Sequence, residues 1–69
     1  MPHFVAAALE QNNLTNDYNA RPAYQQNDYI GWITNAKLPE TQLKRLNQML
    51  EELRKGGIYM GMEHPPSRK

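Results

Sequence analysis

The sequence predicts an all-α fold, a small bundle of three to four helices with a disordered C-terminal tail. Three observations predict it. Leucines recur at 43, 46, 50 and 53 between Pro39 and the pair Gly56-Gly57, which is helical spacing between a helix-opening and a helix-closing signal. Tyr29, Ile33 and Ala36 repeat the same period one segment earlier. No stretch alternates apolar and polar residues for more than a few positions, so a sheet has little to build on.

The first helix is expected over residues 2–11. Pro2 suits an early helical position, where its missing N–H is not needed. Phe4, Val5, Ala8 and Leu9 fall on one face. Asn12-Asn13 then ends the run, because both side chains compete for backbone hydrogen bonds. A short second helix is expected over 14–20, with Leu14 and Tyr18 four apart and Asn13 or Thr15 as its cap. Arg21-Pro22 closes it, since a residue before proline is pushed out of the α region.

A third helix is expected to open at Asn27 or Asp28 and to run to about Lys37. Tyr29, Ile33 and Ala36 share its face, with Ile30 and Trp32 on the flanks. Gly31, poor in a helix interior, suggests a close crossing by a neighbour. The fourth helix, 39–55, carries the leucine stripe. Glu40 complements the positive end of its dipole, and Arg54 and Lys55 the negative end. Glu40–Lys44 and Glu51–Lys55 are charge pairs at i, i+4. Past the glycines, Ile58 or Tyr59 is expected to pack back on this helix. The domain is thus bounded at 1–59, with 60–69 as a flexible tail rich in proline and charge. The expected core is Phe4, Leu9, Tyr29, Ile33, Leu43, Leu46, Leu50 and Leu53.

Size and charge exclude much. A chain of 69 residues makes one domain at most and buries only about 60% of its unfolded surface, which leaves no room for a large buried active site. The sequence has no cysteine, so disulfides, thiolate metal sites and thiol nucleophiles are excluded. That favours a reducing, cytoplasmic setting. A net charge of +1 gives no strong field toward nucleic acid or membrane. The longest apolar run, Phe4 to Leu9, is far short of a membrane span of about 20 residues, and it lacks the flanks of a signal peptide.

The stretch from Tyr29 to Gly56 resembles the helical C-terminal region of the bacteriocin-protection family, also named YdeI/OmpD-associated. The likeness rests on Tyr29, Trp32-Ile33, Ala36-Lys37, Glu40-Thr41, Arg45-Leu46 and Gly56 in that order and spacing. Ala7-Ala8-Leu9 is similar to the family's preceding helix, so the likeness covers most of the chain. It departs where the family carries a basic residue after Glu-Thr: here that residue is Gln42. Many relatives hold this helical region behind a β-rich domain, so the resemblance implies a bacterial, stand-alone version of the helical part. It implies a fold more than an activity.

Chemistry-bearing constellations are few. Lys37, Glu40, Thr41, Lys44 and Arg45 form a polar corner that coincides with the family likeness. It is the candidate partner-binding site, at a helix N-terminus where free N–H groups point outward. The competing reading is structural: Thr41 or Arg45 ties down carbonyls at the end of the preceding helix. The leucine stripe reads first as an intramolecular core, and second as a homodimer seam using Met49 and Leu38. Tyr18, Tyr24, Tyr29, Trp32 and Tyr59 read as core bulk before ligand platform.

A helix-turn-helix-like reading would make 39–55 a recognition helix for nucleic acid, through Gln42, Lys44, Arg45, Asn47 and Gln48. Glu40, Glu51 and Glu52 oppose it. His3 and His64 lie near opposite termini with no placed partner, and Glu51-Glu52, adjacent on a helix, point apart. No catalytic, metal or cofactor site is therefore expected, and the chain is read as a non-enzymatic protein-interaction module.

Overall fold

The computed structural model describes residues 1–63, with side chains described through residue 61. Four helices appear in the expected order: α1 (His3–Gln11), α2 (Thr15–Ala20), α3 (Ala23–Thr34) and α4 (Pro39–Lys55). Two short strands follow, β1 (Ile58–Tyr59) and β2 (Met62–Glu63), paired antiparallel with Tyr59 opposite Met62. None of the helices is long and apolar enough to cross a membrane.

The start of α3 lies earlier than the apolar pattern suggests. Pro22 takes the N-cap position with extended backbone, and its carbonyl accepts the N–H groups of Gln25 and Gln26. Ala23 to Gln26 carry no apolar period, so the proline is the signal that opens this helix. Gln26 then returns its amide to the carbonyls of Arg21 and Asn19, which closes the turn between α2 and α3. Neither α2 nor α4 has a side-chain N-cap, so Asn13 and Thr15 do not play that part. Asn13 instead takes the left-handed conformation, with φ 56°, that turns α1 into α2, a region asparagine tolerates better than most residues.

The core is Val5, Leu9, Leu14, Tyr18, Tyr29, Ile33, Leu46, Met49, Leu50 and Leu53. Tyr29 and Ile33 are buried on one face of α3 as their spacing requires, but the helix ends at Thr34 and not near Lys37, so Ala36 is buried just past its end. Two expected core residues are not core. Phe4 is 43% exposed and Leu43 is 56% exposed. α1 buries a narrow edge through Val5 and Leu9, and Phe4 sits about 100° away around the helix from Val5. Leu43 shares the stripe of Leu46 and Leu50, but α4 there meets only the end of α3, which engages Gln42 and Arg45 instead. Met49, expected as a flank, is fully buried in its place. Gly31 marks no close crossing: a β-carbon there would meet nothing within 4 Å.

The expected boundary between domain and tail, after residue 59, falls inside the hairpin. Met60 and Gly61 both have positive φ, 52° and 81°, the combination that a two-residue hairpin turn requires. Tyr59 and Met60 pack against the core, so the expected return of this segment onto α4 holds. The rest of the expected tail, 64–69, lies outside the described residues.

Candidate functional site

The polar corner divides into an inward and an outward half. α3 ends at Thr34, and its last carbonyls need partners. The Thr34 hydroxyl donates to the Ile30 carbonyl at 2.7 Å. The N–H groups of Asn35 and Ala36 take the carbonyls of Gly31 and Ile33. The Trp32 carbonyl accepts Arg45 Nη1 at 2.6 Å, while the guanidinium carbon lies 5.4 Å from the indole centroid. Gln42 Nε2 donates to the Ala36 carbonyl at 2.9 Å. Arg45 and Gln42 are thus structural, and they fasten α3 to α4.

The outward half is Lys37, Glu40, Lys44 and, half-buried, Thr41. The Thr41 hydroxyl makes no hydrogen bond among the described residues, so it does not tie down the preceding helix as Arg45 does. Glu40 and Lys44 do not close the expected i, i+4 ion pair; the ion pairs among the described residues are Glu51–Arg54 at 3.1 Å and Glu51–Lys55 at 3.5 Å. Leu38 and Leu43, each 56% exposed, flank these charges. The corner therefore brings Arg45 to Trp32 and leaves the other four expected site residues facing solvent or the rim.

A second polar constellation escapes a reading of the sequence. Arg21, Gln25 and Glu52 are all buried. The Glu52 carboxylate accepts four hydrogen bonds. Oε1 takes the Tyr29 hydroxyl and the Met60 N–H at 2.8 Å, and Oε2 takes the Gly61 N–H at 2.8 Å and Gln48 Nε2 at 3.0 Å. Arg21 reaches the Glu52 carbonyl through Nη2 and Gln25 Oε1 through Nη1. Every buried side-chain polar atom described has a partner, as a low-dielectric interior demands. Burial and the bond to Glu52 push the Tyr29 hydroxyl well above its ordinary pKa. The Tyr59 hydroxyl donates to Asp28, and burial together with that bond raises its pKa to about 12. The sequence carries no local signal for it: around α4, Glu52 lies among Thr41, Gln48 and Arg45, outside the arc of Met49, Leu53, Leu46 and Leu50.

Among the aromatics, Tyr18 and Tyr29 are core as expected, whereas Tyr24 is 55% exposed and meets Tyr59 edge to face at 6.1 Å. Elsewhere, an open apolar groove lies between α1 and α2, lined by Met1, Ala6, Leu9, Thr15 and Tyr18 among others. No group of three or more His, Cys, Asp or Glu able to hold a metal occurs among the described residues.

Comparison with known proteins gives one family. The model described as OmdA, "Bacteriocin-protection, YdeI or OmpD-Associated", matches residues 1–56. No curated protein and no solved structure matches the chain.

Proposed function

The chain belongs to the bacteriocin-protection, YdeI or OmpD-associated family, and on that footing we propose that it is a small, non-catalytic helical module that binds a protein partner in the cytoplasm through the outward half of the α3–α4 corner. One observation carries the reading. Leu38 and Leu43 are left 56% exposed beside Lys37, Glu40 and Lys44, charges that form no ion pair within the described chain. Burying a leucine contributes roughly 1.5–3 kcal/mol, and unpaired flanking charges add orientation to such a contact. The inward residues Gln42 and Arg45 are already committed to α3, so the binding face is Lys37, Leu38, Glu40, Leu43 and Lys44, with Thr41 at its rim.

The homodimer reading, a seam of the leucine stripe with Met49 and Leu38, has less support, because Leu46, Met49, Leu50 and Leu53 are buried within the chain and only Leu38 and Leu43 of that seam are exposed. The nucleic-acid reading of residues 39–55 has less support, because Arg45 is turned to Trp32 and Arg54 and Lys55 to Glu51. The test pairs recovery with folding. Wild type and Leu43→Glu are compared by thermal melt, by light scattering and by quantitative pull-down from the native host. Equal melting temperatures with partner recovery lost in Leu43→Glu support the proposal. Recovery of the same proteins by both chains sinks it. A dimer mass for wild type alone moves the assignment to the homodimer, and a salt-sensitive mobility shift with DNA or RNA moves it to nucleic acid.

A further inference from the structure

The hairpin Ile58–Glu63 is too small to stand by itself. Its strands have two residues each, and even longer isolated hairpins are marginal in water. Among the described side chains, the ten buried core residues all lie between Val5 and Leu53. The family match also stops at residue 56, just before the hairpin. The hairpin is therefore laid over the helical unit, touching its core through Tyr59 and Met60.

Its attachment is concentrated in one place. The turn offers two successive backbone N–H groups, one to each oxygen of Glu52, both at 2.8 Å. Around that catch, Tyr59 donates to Asp28 and sets its ring edge-on to Tyr24 and Tyr29. The link to α4 is Gly56-Gly57, with φ of 71° and 69°. Two glycines in series give a joint whose dihedrals can change without steric cost. Removal of the turn would not strand the carboxylate. Oε1 would keep the Tyr29 hydroxyl and Oε2 would keep Gln48, and water could replace the two N–H groups.

We propose that the hairpin is a strap that opens as a unit about Gly56-Gly57 while α1–α4 stay folded, with the Glu52 carboxylate as its catch. Opening bares a carboxylate beside the Tyr29 ring, on a surface whose present occupant is a tight turn presenting paired N–H donors. The device is independent of the α3–α4 corner, where neither Glu52 nor the hairpin takes part.

Native-state hydrogen exchange on the full chain tests it. The Met60 and Gly61 amides should exchange through an opening with clearly weaker denaturant dependence than the Leu50 and Leu53 amides of α4, since a strap exposes less surface than global unfolding. Gly61→Val is the first variant. A β-carbon there meets nothing within 4 Å, so its effect is backbone strain at φ 81° alone. It should speed exchange at Met60 about tenfold or more and weaken the Tyr59–Met62 cross-strand signals, with helical circular dichroism retained. Glu52→Gln, which keeps an acceptor for one N–H and removes it for the other, should release the hairpin in the same way. The proposal is overturned if Met60 and Gly61 exchange only with the denaturant dependence of Leu50 and Leu53. Loss of the helices together with the hairpin in Gly61→Val would overturn it equally.

Discussion

Replacing Tyr29 by Phe removes one of the four hydrogen-bond donors to the buried Glu52 carboxylate. The ring is fully buried, so the phenyl group keeps its packing against Ile33, Met49 and Leu53 in the core cluster. What is lost is the hydroxyl's bond to Glu52 Oε1. A hydrogen bond to a charged group contributes about 1.5–3 kcal/mol. Oε1 is not left bare, because the Met60 N–H still reaches it at 2.8 Å, so no full desolvation penalty is added. The expected loss is therefore about 1.5–2.5 kcal/mol, toward the lower end of that range. A domain of this size has roughly 3–5 kcal/mol in total, so the change is large. Urea unfolding followed by circular dichroism should show a lower midpoint with the slope unchanged. An unfolding free energy within about 0.5 kcal/mol of wild type would mean that Glu52 is held by the backbone and Gln48 alone, and that the tyrosine hydroxyl is dispensable.

Three further outcomes follow from the same coordinates. Both Tyr29 and Tyr59 have folded-state pKa values raised above the ordinary 10.0, so above pH 10 the unfolded chain loses protons that the folded chain keeps; stability should fall as pH rises past 10, less steeply in Tyr29→Phe, as read by denaturant melts at stepped pH. Leu53→Ala, at a site 1% exposed, should cost about 2–5 kcal/mol and leave the protein largely unfolded, whereas Leu43→Ala should shift stability by no more than about 0.5 kcal/mol in the same chemical melt. Arg45→Ala should cost about 1–2 kcal/mol by losing the Trp32 carbonyl and the indole contact, while Thr41→Ala should stay within about 0.5 kcal/mol; equal thermal shifts for the two would contradict the division of the corner into inward and outward halves.

The helices were legible because their signals are local. Pro39, the leucine period and Gly56 bound α4 at its observed ends, and the Tyr29–Ile33 spacing selects the buried face of α3. What the sequence does not carry is which part of a face finds a neighbour. Leu43 and Leu50 are both on the stripe, yet the bonds that bring Arg21 and the hairpin to α4 are made at Glu52, and Leu43 is left exposed. The start of α3 was misplaced because four residues without an apolar period still propagate a helix once Pro22 has set its first turn. The candidate corner was found from residue types, but its division was not. Gln42, which departs from the family pattern, turns out to hold the link after α3 through the Ala36 carbonyl, and Thr41 does not. The Glu52 network joins α2, α3, α4 and the hairpin across up to 31 residues of chain, and no spacing rule reaches that far.

The Trp32–Arg45 contact has a practical side. The chain has one tryptophan, and it is half-buried where α3 meets α4, with a guanidinium held over its ring and bonded to its own carbonyl. Its fluorescence consequently has a single address. Emission wavelength and quenching read the geometry of that one joint, and Trp32 does not line the α1–α2 groove. A change in far-ultraviolet signal at constant tryptophan emission would place an event away from the joint. The reverse would place it there, so the molecule is already labelled for stopped-flow work without a probe being attached.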